Sequence, residues 1–138
     1  METQFLNYEF MGKAFWKILE AFPMTLYIAS VTMIFSLVLS FFIALVRVNK
    51  IKGLNEMAAA YVSFIRGTPL LVQIYLSYYG LPKFLDYMHI RYGWNINVNN
   101  IPVIVFVFFA FILNVSAYLS ETFRGAILAV DKGQIEAA

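Results

Sequence analysis

Few side chains in this sequence are equipped for chemistry. There is no cysteine and a single histidine, His89. Thiol catalysis, disulfides and a cysteine metal site are therefore excluded, and one imidazole does not build a metal centre. No G-x-x-x-x-G-K-[ST] phosphate loop, H-E-x-x-H pair or serine–histidine–acid arrangement occurs. The reading is of a chain with no catalytic residue, no metal and no cofactor, which does not hydrolyse ATP by itself. The polar residues that stand out lie within apolar runs: Arg66, Gln73, Asn114, Ser116, Ser120 and Glu121. In hydrocarbon each costs free energy unless it faces protein or water. A Gln or Asn in a membrane helix commonly serves as interhelical glue worth about 1 kcal/mol. Taken together, Gln73, Asn114 and Ser116 at similar depth beside an interrupted helix also have the makings of a midplane solute site, and both readings stand. For Arg66 the alternatives are snorkelling to the headgroups, pairing with backbone carbonyls freed at Gly67 and Pro69, or pairing with a carboxylate on another span. No carboxylate lies deep in any span, which argues against proton or sodium coupling.

The elements that must position these residues follow from composition. Of 138 residues, 62% are hydrophobic and 13% charged, against about 45–50% apolar and about 25% charged in a soluble domain. A chain this short cannot hide that much apolar surface from water, so an all-α integral membrane protein is expected. The net charge of +2 is too small to suggest a nucleic-acid partner. Three spans are expected, near residues 21–46, 57–81 and 101–121, each long enough for a hydrocarbon core of roughly 30 Å. Residues 1–20 carry Phe10, Met11, Ala14, Phe15, Ile18 and Leu19 on one helical stripe opposite Glu9, Lys13, Lys17 and Glu20, the pattern of an interfacial segment lying along lipid headgroups. Pro23 suits the first turn of the span that follows. Gly67 and Pro69 predict a bend or break in the second span, and Gly80 with Pro82 its end. Arg47, Lys50 and Lys52 crowd one short loop. By the positive-inside rule that loop is cytoplasmic, with Arg124 and Lys132 on the same side, Lys83 and Arg91 on the other, and the N-terminus outside.

Three segments, in this order, resemble polar amino-acid ABC importer permeases. They are Arg66-Gly67-Thr68-Pro69-Leu70-Leu71-Val72-Gln73 with Tyr79-Gly80-Leu81-Pro82, then Asn114 to Gly125, then Lys132-Gly133-Gln134-Ile135-Glu136-Ala137-Ala138. The last resembles the opening of the family's cytoplasmic EAA loop, and the Asp131-Lys132-Gly133-Gln134 variant looks most like the cystine-type branch. The resemblance implies the N-terminal part, residues 21–138, of a five-span type I importer subunit, located in the cytoplasmic membrane of a prokaryote. It implies a pathway for a polar amino acid of the cystine, glutamine, histidine or arginine type. Implied partners are a cytoplasmic ATPase, an extracytoplasmic solute-binding protein, a second permease subunit and membrane lipid. The implied roles are solute binding for Gln73, Asn114 and Ser116, and ATPase coupling for Gly133, Glu136, Ala137 and Ala138 within 131–138. Arg66, Gly67, Pro69, Glu121 and Arg124 are implied to be structural or gating residues. Because the sequence stops where a helix would begin, it is expected to be incomplete. The competing readings are a small non-transporting membrane adaptor and a proton-coupled transporter.

Overall fold

The computed structural model describes residues 7–93 and 100–130. Among them every regular element is helical: α1 (Tyr8–Val48), α2 (Leu54–Gly67), α3 (Leu70–Tyr75), a π-helical segment Leu76–Gly80, α4 (Leu81–Tyr92) and α5 (Val103–Leu128). The chain divides into two compact units, residues 1–31 and 32–138.

The first unit contains the N-terminal part of α1. Asn7 starts the helix by accepting the Phe10 amide on its Oδ1 at 3.0 Å, a side-chain cap on an otherwise orphaned donor. Glu9 and Lys13 pair one turn apart at 2.6 Å, and Phe15 meets Trp16 edge to face. The helix does not begin at Pro23, as the sequence suggested; Pro23 lies inside it. Nothing between Lys13 and Phe22 is a glycine, asparagine or proline, so no stop signal separates an interfacial segment from the span, and one lost hydrogen bond at proline does not end a helix on its own.

In the second unit the remainder of α1 buries Thr32, Ser36, Ser40 and Ala44, one small residue per turn. Small side chains let helix backbones approach closely in lipid. The Ser36 hydroxyl donates to the Ile112 carbonyl of α5 at 3.2 Å, and Phe41 meets Phe123 edge to face. Further along, Arg47 pairs with Glu121, so α1 and α5 run parallel. The intervening chain must therefore return. Val62 and Ile65 of α2 pack with Ala117 to form the core, closed by Ile43, Tyr61 and Leu113. Beyond α2, contacts step from Asn114 at Gln73 to Phe106 at Ser77, antiparallel to α5.

Two helices, α1 and α5, are long and apolar enough to cross a membrane, and the pair Leu54–Gly67 and Leu70–Tyr92 forms a further candidate bent by 107°. The expected break is present. The expected end at Gly80 and Pro82 is not: the helix runs on to Tyr92 and stops at Gly93, whose φ of 69° is the left-handed cap that glycine adopts without strain. The π-helical turn just before Pro82 explains the continuation. A wider turn moves the carbonyl that the proline ring would strike, and Pro82 itself brings no N–H to be satisfied.

Candidate functional site

The break is built by its own sequence. Proline disfavours the helical conformation in the residue before it, and Thr68 is extended, with φ −116° and ψ 140°. Pro69 has no N–H, so the Ile65 carbonyl loses its ordinary donor four residues on. The chain restarts with the Val72 amide on the Pro69 carbonyl at 3.0 Å, which leaves the Thr68 carbonyl without its own donor. Gln73 serves both. Its Nε2 donates to the Ile65 carbonyl at 2.8 Å, with the Thr68 carbonyl at 3.1 Å and the Thr68 hydroxyl oxygen at 2.7 Å. The Thr68 hydroxyl in turn donates to the Phe64 carbonyl at 3.0 Å. From α5, Asn114 Nδ2 donates to Gln73 Oε1 at 3.1 Å. Gln73 is only 9% exposed, and both ends of its carboxamide are engaged within the chain.

The three residues expected together are therefore divided. Gln73 and Asn114 are in contact. Ser116 is fully buried on another side of α5, where its hydroxyl lies 2.8 Å from the Tyr61 hydroxyl and 3.1 Å from the Leu113 carbonyl. Asn114 is half-buried, and among the described residues only its amide nitrogen is engaged.

Arg66 takes neither of the protein partners anticipated for it among the described residues. It is exposed, pairs with no carboxylate among the described residues, and lies with its guanidinium carbon 5.2 Å from the centre of the Tyr118 ring, a cation–π distance. Gly67 has open space around the position of a Cβ, so no close contact within the described residues calls for glycine there. Below the core, Glu121 accepts from Arg47 on α1 and from Arg124 Nε and Nη2 at 3.0 and 2.9 Å. Both Arg124 nitrogens converge on Oε2 while Arg47 takes Oε1, so each carboxylate oxygen carries a charge-assisted hydrogen bond.

Sequence reasoning singled out neither Tyr61 nor Tyr118 nor Thr68, and used Arg47 only for orientation. The periodic signal that was available is the small residue at every fourth position from Thr32 to Ala44. The other signal is the spacing of Gln73 four residues after Pro69. Gly133, Glu136, Ala137 and Ala138 lie outside the described residues.

An apolar cavity of about 340 Å³ adjoins the break, between Phe64, Phe84, Phe109 and Leu113, with Gln73 and Ser77 as its polar wall.

No protein-family model matches the chain. It is 37% identical over 96% of its length to the probable amino-acid permease protein YxeN of Bacillus subtilis, of which it covers 54%. It is also 37% identical to the L-cystine transport system permease protein TcyB of the same organism, again over 96% of this chain and 51% of that protein. Among solved structures it resembles an amino acid ABC transporter crystallised with histidines, at a TM-score of 0.72 and 34% identity over 96% of this chain and 56% of that one. The chain is a relative of the amino-acid ABC transporter permeases. It spans about half the length of the curated permeases it matches. The all-α membrane fold expected from the sequence is the fold of this family, and the apolar helices of a multi-pass membrane protein belong to it.

Proposed function

We propose that the chain forms part of a permease subunit of an ATP-binding-cassette importer, lining the route of a polar amino acid across the cytoplasmic membrane of a prokaryote. The observation that carries this reading is the structural likeness over nearly the whole chain to an amino acid ABC transporter. The absence of any nucleotide-binding loop from this sequence is consistent with energy supplied by a separate cytoplasmic ATPase. An extracytoplasmic solute-binding protein and a second permease subunit complete the assembly. Residues 131–138 are the near half of the ATPase-docking loop, with Gly133, Glu136, Ala137 and Ala138 at the contact. Within the solute route Asn114 is the residue placed to meet the amino acid, through its carbonyl oxygen. Gln73 frames the site, since its carboxamide is committed to the chain, while Ser116 lies against Tyr61 on another side of α5.

The test is reconstitution of the full-length protein with its ATPase and binding protein in proteoliposomes. ATP-dependent uptake of one of labelled cystine, glutamine, histidine or arginine is expected. Asn114→Ala should weaken solute affinity by about 5- to 150-fold, the range for losing one buried hydrogen-bond partner, with assembly intact. An assembled complex that hydrolyses ATP and carries none of these amino acids would overturn the reading.

A further inference from the structure

We propose that Gln73 is the positioning residue of the bent segment: its carboxamide stands in for the backbone donor that Pro69 lacks and for the one the Thr68 carbonyl loses where the helix restarts, and Asn114 sets which way that carboxamide points. The bend is then held by a side chain anchored on α5 rather than by proline alone. The inference does not depend on the permease reading.

Three observations converge on it. The first is the spacing. Ile65 and Pro69 are a helical acceptor–donor pair with the donor missing; the Thr68 N–H and hydroxyl reach the Ile65 carbonyl only at 3.4 and 3.3 Å, and Gln73 Nε2 supplies the short bond at 2.8 Å. The second is completeness. The Thr68 carbonyl, orphaned by the restart of the helix, lies 3.1 Å from the same nitrogen. An unmet carbonyl away from water costs the desolvation of that group; here one amide meets the Thr68 carbonyl and strengthens the weakly served Ile65 carbonyl. The third is polarity. Carbonyl oxygens only accept, so the nitrogen of Gln73 must face Ile65 and Thr68. Its oxygen must then face α5, and Asn114 must present its own nitrogen there, at 3.1 Å. The orientation of both amides follows from the carbonyls, with no freedom left to reverse either one alone.

This polarity makes the proposal sharper than a statement that Gln73 packs well. Replacing Asn114 by aspartate alters the shape hardly at all but removes the donor. Gln73 would then turn its nitrogen to the new carboxylate and its oxygen towards two backbone carbonyls, a repulsive arrangement. Conversely, Pro69→Ala restores a backbone N–H opposite the Ile65 carbonyl and makes Gln73 largely redundant.

The full chain has no cysteine, so spin labels placed at the exposed positions Met57 and Lys83 report on α2 and α4 without a background. In lipid vesicles the unaltered chain should give one narrow distance. Gln73→Leu and Asn114→Asp should each shift the distribution to longer separations and widen it. The Pro69→Ala/Gln73→Leu double variant should return to a single distance, longer than the first. In thermal unfolding, Gln73→Leu should lower the folded-to-unfolded ratio by about 5- to 150-fold in the proline background, and by less than about threefold beside Pro69→Ala. The proposal is overturned if Asn114→Asp and Gln73→Leu keep the original distance. It is equally overturned if Gln73→Leu is as damaging with alanine at 69 as with proline, outright failure of both to fold included, because that outcome assigns Gln73 a packing role.

Discussion

Glu121 shows how a single side chain can be under more than one obligation. It sits between Arg47 and Arg124 with about 20% of its side chain exposed, so its charge is only partly screened by water. Removing it leaves two guanidinium groups facing each other without a counter-charge. Glu121→Ala should therefore cost about 2–4 kcal/mol, whereas Arg47→Ala, which leaves Glu121 its Arg124 partner, should cost about 1–2 kcal/mol. Thermal melts of the purified protein in detergent would check the order, and equal losses would show that the two arginines do not share the carboxylate. The resemblance marked Glu121 and Arg124 as structural or gating residues; that they pair was not read, although their one-turn spacing allows it. The sequence did not identify Arg47, because that contact joins residues from different helices and has no spacing to read. Ser116 was misgrouped for a related reason. Position along a helix predicts depth, but sharing a depth does not place two residues on one side of it, and Tyr61 draws Ser116 to the other side.

For the elements, the long apolar runs were legible because a stretch without charge has few alternatives to a buried or membrane-embedded helix. Boundaries were less legible where proline was involved. Pro23, Pro69 and Pro82 are identical in the sequence, yet one is absorbed within α1, one forms the break, and one follows a widened turn. What separates them is whether neighbours supply the missing donor or move the carbonyl, and that is a tertiary property. The small-residue stripe of α1 is open to direct test. Ser40 has no exposed surface and donates to its own helix at Leu37, so a larger side chain there has nowhere to go. Ser40→Leu should destabilise the protein by about 1–3 kcal/mol through overpacking, while Val38→Leu on the exposed face should change stability by less than about 0.5 kcal/mol. Chemical denaturation of both variants in the same detergent would measure the difference, and a tolerated Ser40→Leu would mean that the helices are not closely apposed.

For the whole molecule, parallel α1 and α5 with a returning segment between them lead to the expectation that Lys50 and Lys83 lie on opposite sides of the membrane. Single cysteines at these positions should react with an impermeant thiol reagent from opposite faces of sealed vesicles, with Lys50 on the cytoplasmic face. Labelling from one face would mean that the bent pair enters and leaves on the same side. The break has one more consequence, for the order of assembly during synthesis. The Ile65 and Thr68 carbonyls at the break are met by a side chain only eight residues from Ile65 and five from Thr68, so the backbone groups of the break can be satisfied before α5 has left the ribosome. A segment that enters lipid must carry no unmet backbone group, and this one meets that condition from its own local sequence. What waits for α5 are side-chain contacts: Asn114 on Gln73, the Phe106 carbonyl for Ser77, and Leu113 with Ser116 for Tyr61. The chain can thus admit a bent, membrane-ready segment early and fix its angle later, once the helix that measures it has arrived.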